Sequence, residues 1–388
     1  MEEYFATSLN KLKTNNYANL TLVIGNESCD LDSAVSSIVY ASFLHWQHNR
    51  VKCKVCTVSK RDDEVKDDIF ISILDVNRDD FALKTEVVFA LAEHGIFDKD
   101  LIFSDDIDID KLVCEGNAGV ILVDHHTLSK KYEYLAPHVT EIIDHRPLDK
   151  TRWVYNEDVR STIELVGSCC TLIAQRVRDL SKLIGKEIDF FDSHPACTQL
   201  LHSAILLDTV NFSKEVGKAT SHDEEIVSFL EGLLKVEQCE RERIAKVDGL
   251  LAARSDVSRL NAAQLLRKDL KIFGYIFVPS FPILVKDFLK KPEAIEAVSE
   301  ALSSRKCAVA LLLGMELQGG LQRDGVIVSA DDKLSKSLAK FLHEWSSPSL
   351  LLVPDPDIHC FYFKQTNLSA SRKQYVPALN EFLNTYKH

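Results

Sequence analysis

The chain has 388 residues, of which 46% are hydrophobic and 27% charged, and this composition is typical of a globular protein with room for two domains. It has no stretch near the roughly 20 apolar residues of a membrane span, and its polar N-terminal segment lacks the apolar core of a secretion signal. The formal net charge of −12 disfavours nonspecific nucleic-acid binding. We therefore expect a cytoplasmic protein by default, with a mitochondrial location left open.

The first part of the chain alternates strand-like and helix-like segments, which favours βαβ units and a parallel sheet. The predicted strands are 20–25, 51–58, 69–75, 118–124 and 140–144, with a further buried apolar segment near 201–208. The predicted helices are 33–47, 83–94 and 168–181. The fold class that follows is α/β, a doubly wound and mainly parallel sheet.

The pattern changes near residue 240. A charged segment, 214–240, is interpreted as a connector between a first domain at 1–213 and a second at 241–388. In the second domain, helical segments at 241–255 and 260–270 precede strand-like runs at 271–280, 307–315, 325–330 and 358–365, which predicts a smaller α+β domain. Residues 1–240 carry 25 basic and 42 acidic side chains, whereas residues 241–388 carry 21 and 16. The acidic part could hold cations and the basic part an anion.

The ten cysteines, in a chain with no evident secretion signal, are interpreted as reduced thiols. Cys53 and Cys56 form a CxxC pair inside VKCKVCTV, a run that looks like a strand. Residues three apart in a strand point to opposite faces, and no second pair follows at zinc-ribbon spacing, so structural zinc is disfavoured.

Apolar runs that end on an aspartate recur along the chain. TLVIG leads to Asp30 and Asp32, VILV to Asp124-His125-His126, TEII to Asp144-His145-Arg146 and AILL to Asp208. A buried parallel strand carries its ligand-binding groups at its C-terminal end, and carboxylates with imidazoles suit divalent metals. Taken singly, Asp32 could cap a helix, the histidines could be satisfied in a solvated loop, and Asp208 could be a buried cap.

Basic pairs in the second domain are candidate phosphate ligands. Ser371-Arg372-Lys373 and Arg267-Lys268-Asp269 each place a basic pair at a loop or helix end, although such pairs are commonly solvent-facing. Gly167-Ser168, before a helical run, could present backbone N–H groups to an anion.

Together these segments resemble the DHH family of phosphoesterases, and more closely its branch of prune proteins and eukaryotic exopolyphosphatases. The similar segments are GNESCDLDS (25–33), LVDHH (122–126), DHR (144–146), GSCCT (167–171), LLDTVN (206–211), LLRKD (265–269) and SRK (371–373). The resemblance covers about 20–385 and implies a DHH domain that holds the metals and a smaller DHH-associated domain that binds substrate.

The resemblance also implies roles for single residues. Five would ligate two divalent ions of Mn, Mg or Co: Asp30, Asp32, Asp124, His145 and Asp208. Asp124 would bridge the ions, with His125 and His126 beside them as catalytic residues. Arg146, Lys268, Arg372 and Lys373 would hold phosphate oxygens, Arg146 acting also in catalysis. Related pyrophosphatases have histidine in place of both Asn26 and Arg146, so this site differs from theirs, and Asn26 is interpreted as a substrate-side residue.

The function that this implies is metal-dependent hydrolysis of a phosphoanhydride, with short inorganic polyphosphate cleaved from its end. One alternative uses the same site on a cyclic nucleotide or nucleoside oligophosphate. Another is an interaction protein that binds a nucleoside diphosphate kinase, a partner that the resemblance implies. A nuclease acting on single strands is disfavoured, because the chain has no stretch of interleaved basic and aromatic residues. Neither a membrane nor a nucleic-acid partner is expected.

Overall fold

A computed structural model describes residues 1–56, 66–114, 116, 118–316 and 320–386, with the backbone alone described for 52–56. The chain divides into two compact units, Met1–Arg254 and Ser255–His388. Among the described residues, no helix is both long and apolar enough to pass through a bilayer.

The first unit is built on a five-stranded sheet, whose strand order is β2-β1-β3-β4-β5 and whose neighbours are all parallel. The strands are β1 (Leu20–Ile24), β2 (Ile69–Ile73), β3 (Ala118–Val123), β4 (Val139–Asp144) and β5 (Arg160–Ile163). This order is that of a doubly wound sheet, and it confirms the predicted fold class.

Helices of the first unit pack on both faces of this sheet. They are α1 (Glu2–Lys13), α2 (Leu31–Cys56), α3 (Arg78–Phe81), α4 (Thr85–Ala92), α5 (Ile109–Cys114), α6 (Cys169–Ile184), α7 (Asp189–Ser193), α8 (Pro195–Thr209), α9 (Ser221–Leu234) and α10 (Cys239–Ser255). Short 3-10 helices cover Asp98–Asp100, Lys130–His138 and Lys150–Arg152. Along β1, Val23 belongs to one core while Leu22 and Ile24 belong to the other. The period-two alternation of a strand therefore supplies both layers.

The prediction of a strand at 51–58 is wrong for residues 51–56, because α2 continues to Cys56. No glycine or proline lies between Leu31 and Cys56 to end the helix. Once a helix is nucleated, each added residue gains a hydrogen bond, and this outweighs the weak strand preference of Val51 and its neighbours. The side chains of Cys53 and Cys56, and residues 57–58, lie outside the described part of the chain.

The buried segment at 201–208 is also not a strand. It is the second half of α8, which begins with Pro195 at its first position and is buried almost all round. A continuous apolar run fits a buried helix as well as a buried strand, so periodicity could not separate them. Asp208 therefore stands in the last turn of a helix.

The first unit runs further than the domain boundary predicted at 213. Helix α9, inside the segment interpreted as a connector, contributes Ile226, Val227 and Leu230 to the core of the first unit. The domain limits at 213 and 240 remain predictions about the chain.

The second unit contains a six-stranded mixed sheet with strand order β10-β11-β9-β8-β7-β6, in which only β7 and β8 pair in parallel. The strands are β6 (Leu270–Phe273), β7 (Ile276–Phe281), β8 (Val309–Glu316), β9 (Gln322–Val328), β10 (Leu352–Pro354) and β11 (Tyr362–Gln365). The helices are α11 (Ala262–Lys268), α12 (Val285–Phe288), α13 (Ala294–Arg305), α14 (Asp332–Glu344) and α15 (Arg372–Thr385). The α+β character predicted for this part is confirmed.

Candidate metal centre

The candidate site lies at the carboxyl ends of three neighbouring strands of the first unit, β1, β3 and β4. Strand order reverses between β1 and β3, and the crevice at such a reversal is where open α/β sheets bind ligands. The loop 25–30 after β1, Asp124 after β3 and His145 after β4 therefore meet at one edge.

Three side chains form a group that could hold a metal ion: Asp32, Asp124 and His145 each offer a ligand atom, all within 4.8 Å of one another. His145 Nε2 lies 3.2 Å from Asp124 Oδ1 and 3.8 Å from Asp32 Oδ2. Asp124 and Asp32 are only 1% and 3% exposed. Two buried carboxylates beside an imidazole form a donor set that suits divalent transition metals and Mg²⁺.

The orientation of His145 is fixed from behind the site. Its Nδ1 lies 3.0 Å from the carbonyl oxygen of Val166, and a carbonyl can only accept. Nδ1 therefore carries the proton, and Nε2 is left to face the carboxylates. This is the tautomer that a ligating histidine needs.

Asp32 is held by the N-terminus of α6. Its carboxylate accepts hydrogen bonds from the Ser168 hydroxyl at 2.8 Å and from the backbone N–H groups of Cys169 and Cys170 at 2.7 and 2.8 Å. The positive end of a helix favours a carboxylate in this position. The Gly167-Ser168 turn, predicted to present N–H groups to an anion, thus lies at a helix start that binds the carboxylate of Asp32. The start of α2 is bonded instead by Asp30, whose Oδ1 accepts from Ser33 N at 3.1 Å.

The carboxylates crowd one another electrostatically. Burial and the negative charge of Asp32 raise the pKa of Asp124. Burial and the charges of Asp32 and Asp30 raise the pKa of Asp208 well above its usual value. Burial lowers the pKa of His145, but its hydrogen bond with Asp124 and the charge of Asp32 outweigh burial and raise that pKa. The cluster therefore keeps protons that a cation would replace.

Asp30 and Asp208 are close enough to act on this group electrostatically, but they are not among its three mutually adjacent donors. Asn26 donates from Nδ2 to Asp124 Oδ2 at 2.5 Å and to the Asp124 carbonyl at 3.3 Å, while its Oδ1 accepts from Ser28 N at 2.8 Å. Asn26 thus fixes Asp124, whose φ of 62° lies in the left-handed region. Arg146 reaches Asp124 Oδ1 at 3.5 Å and is half exposed.

The two histidines of the DHH segment have different environments. His125 Nδ1 donates to the Val123 carbonyl at 3.0 Å, and burial lowers the pKa of His125. His126 is buried and bonds through Nδ1 to the carboxylate of Asp144. The carbonyl of His126 accepts from the Tyr155 hydroxyl at 2.7 Å. His126 is therefore a link between strand ends, and His125 is the histidine that lines a pocket beside the site.

The predicted basic residues Lys268, Arg372 and Lys373 all lie in the second unit. The Arg372 guanidinium donates to Asp269 Oδ1 at 2.8 Å and is 13% exposed, so the SRK and LLRKD segments meet there. Ser371 caps α15 with Gln374, which fixes the backbone that carries Arg372 and Lys373. Lys373 is exposed.

A residue that sequence reasoning missed supports the Asp32 anchor. Asp223, fully buried at the start of α9, accepts from Gly167 N at 2.8 Å and from the Thr171 hydroxyl at 2.6 Å. It also forms a capping box with Thr220. The Thr-x-x-Asp spacing before an apolar run was the available signal for the helix start, but not for the contact with residue 167.

Comparison with known proteins gives two family matches. The model of the DHH family N-terminal domain matches residues 21–205, and that of the DHHA2 domain matches residues 248–382. Exopolyphosphatase PRUNE1 of Rattus norvegicus is 34% identical over 375 residues, covering 95% of this chain and 76% of that protein. The Homo sapiens protein of the same name is 32% identical over 380 residues, with the same coverage. A manganese-dependent inorganic pyrophosphatase of Methanocaldococcus jannaschii is 27% identical over 258 residues, covering 65% of this chain and 67% of that protein.

Proposed function

Because this chain belongs to the prune branch of the DHH family, with a DHHA2 domain after its DHH domain, we propose that it is a metal-dependent hydrolase of phosphoanhydrides that removes the terminal phosphate of short inorganic polyphosphate. The observation that carries this proposal is the buried group of Asp32, Asp124 and His145 at the switch point of the sheet. The names of the relatives, exopolyphosphatase and manganese-dependent inorganic pyrophosphatase, support the phosphoanhydride substrate class.

The residues present fit a divalent cation. Ionised carboxylates buried side by side are costly unless a positive charge compensates them, and this cost raises the pKa values of Asp124 and Asp208. The His145 tautomer places Nε2 toward the carboxylates. Two ions of Mn, Mg or Co are proposed, and Asp30, Asp32, Asp124, His145 and Asp208 would hold them. Asn26 occupies the position of a ligating histidine in related pyrophosphatases. Such ions polarise phosphoryl oxygens and make water a better nucleophile at neutral pH.

The chain's own groups supply orientation and charge. Val166 and the α6 N-terminus keep His145 and Asp32 in place, so that the donor atoms need no rearrangement during turnover. Arg146, half exposed and 3.5 Å from Asp124, is proposed to neutralise an oxygen of the attacked phosphate. His125, whose lowered pKa favours the neutral ring and whose Nδ1 donates to Val123, has Nε2 left to accept a hydrogen bond there. Lys268, Arg372 and Lys373 are proposed to bind phosphate oxygens, and a nucleoside diphosphate kinase partner stays a prediction.

The test is phosphate release from tripolyphosphate by the full chain with Mg²⁺, Mn²⁺ or Co²⁺, beside an EDTA control. Asp124→Ala should reduce release to background while circular dichroism shows that the protein remains folded. Asp158→Ala, which removes an exposed carboxylate in a turn of the same unit, is the matched control and should retain activity. Pyrophosphate and cyclic AMP are assayed in parallel. Undiminished turnover in Asp124→Ala, or a clear preference of wild type for cyclic AMP, would contradict the proposal.

A further inference from the structure

A pocket of about 310 Å³ opens beside the candidate metal centre, within the first unit. Two of its lining residues, Asn26 and Arg146, also contact the carboxylate of Asp124. The pocket therefore adjoins the metal-binding group through these two residues. Its volume lies at the lower end of the range for small-molecule sites, roughly 300 to 1,000 Å³.

The charged side chains that line this pocket differ in whether they already have a hydrogen-bond or ion-pair partner. Asp75 is buried and accepts from Lys131 Nζ at 2.9 Å and from the Tyr132 hydroxyl at 2.8 Å, so its charge is already compensated. Glu27 lies 3.6 Å from the same lysine. The backbone N–H of Arg152 donates to the Asp149 carbonyl at 3.1 Å, but its guanidinium, which lines the pocket, forms no hydrogen bond or ion pair with the described residues. Its charge acts only at longer range, where it helps to lower the pKa of Asp149 after the hydrogen bonds from Thr151.

A second donor without a hydrogen-bond partner belongs to a residue that lines the same pocket. The Ser129 hydroxyl is buried and has no hydrogen-bond partner among the described residues. Buried polar atoms are nearly always satisfied, so one left over on a pocket wall indicates a position for a ligand atom. A hydroxyl donor and a free guanidinium together favour an anion with several acceptor oxygens.

Arg152 stands on a fixed segment. It ends the short 3-10 helix Lys150–Arg152, whose cap, Asp149, accepts from Thr151 N at 3.0 Å. Asp149 N in turn donates to His126 Nε2 at 3.4 Å, and Tyr155 binds the His126 carbonyl. The second histidine of the DHH segment is therefore a positioning residue, which ties the segment carrying Arg152 to the strand ends that carry Asp124 and Asp144.

We propose that this pocket is a subsite for the phosphates that follow the scissile one, and that Arg152 is the residue that selects longer chains over pyrophosphate. The inference rests on the proposed function, since it assumes that the terminal phosphate lies at Asp124. Arg146 contacts Asp124, whereas Arg152 lines the same pocket without such a contact, so Arg146 is assigned to the phosphate nearest the metal centre and Arg152 to a later one. Pyrophosphate has no phosphate left to reach Arg152, whereas tripolyphosphate and tetrapolyphosphate do.

The test compares wild type, Arg152→Gln and Lys150→Gln in the full-length protein. Lys150 precedes Arg152 in the same short helix, is exposed and does not line the pocket, so its variant controls for net charge. Two non-hydrolysable analogues, methylene diphosphate and bis-methylene triphosphate, are titrated calorimetrically with Mn²⁺ present. In parallel, kcat and KM are measured for pyrophosphate and tetrapolyphosphate.

The expected result is a roughly tenfold weaker binding of the triphosphate analogue in Arg152→Gln, equivalent to about 1.4 kcal/mol, with a smaller loss for the diphosphate. The KM for tetrapolyphosphate should rise by a similar factor, with kcat changed less. Equal losses for both analogues, or values within twofold of Lys150→Gln, would overturn the subsite. Because binding is read without turnover, a dependence on Arg152 in a protein that releases no phosphate would uphold the subsite while refuting the proposed activity.

Discussion

Replacing Asp223 with alanine should destabilise the first unit and loosen the metal centre, although Asp223 is not a proposed ligand. The change leaves two donors, Gly167 N and the Thr171 hydroxyl, buried without an acceptor. Each such loss costs about 1–3 kcal/mol, and the donors of Thr220 can rehydrate in part. We therefore expect the free energy of unfolding to fall by about 3 kcal/mol. The same turn presents Cys169 N to Asp32, so affinity for Mn²⁺ should fall about tenfold.

The measurement is urea unfolding followed by tryptophan fluorescence. A Trp345→Phe background removes the tryptophan of the second unit and leaves Trp46 and Trp153 to report on the first. Mn²⁺ affinity is read by electron paramagnetic resonance. Glu224→Ala, an exposed neighbour in the same helical turn, is the control and should stay within about 0.5 kcal/mol of the background protein. A loss below that value for Asp223→Ala, or unchanged Mn²⁺ affinity in a destabilised variant, would refute the reasoning.

Two further predictions concern the metal-free protein and its pH dependence. Asn26→Asp replaces a donor to Asp124 with a second carboxylate, so the thermal unfolding midpoint should fall in EDTA. When Mn²⁺ is added, the midpoint of the variant should rise more than that of wild type. An unchanged midpoint in EDTA would contradict this prediction. Burial lowers the pKa of His202, outweighing its 3.1 Å contact with Glu231. Below pH about 6.5 the unfolded chain therefore takes up a proton that His202 in the folded protein does not bind. The free energy of unfolding then decreases as the pH is lowered, by up to about 1.4 kcal/mol per pH unit. His202→Gln should lose less stability than wild type between pH 7.5 and 5.5 in denaturant titrations, and parallel curves would rule out this role.

Much of the fold and of the candidate site follows from local sequence. Strands β1, β3 and β4 are predictable almost to the residue, because each is a short apolar run that a carboxylate or a turn ends at once. Their burial on both faces also follows, since a continuous apolar run is typical of a strand in a parallel sheet, and in β1 Val23 packs in one core while Leu22 and Ile24 pack in the other. Because parallel strands bring their carboxyl ends to one edge, the sequence pattern is enough to predict that Asp124 and His145 meet.

Tertiary structure alone decided which groups complete and support the site. Asp208 lies near the carboxylates at the end of a buried helix. The sequence did not show this, because an apolar run on its own does not distinguish a helix from a strand. The anion at the N-terminus of α6 is Asp32, 136 residues away from Ser168 along the chain, and Asp223 holds that turn from a third segment. Such hydrogen bonds join positions with no local signature, since they depend on how packed layers bring distant backbone donors against one carboxylate. The sequence by itself thus determined the donor types and the edge at which they gather, and packing determined their partners.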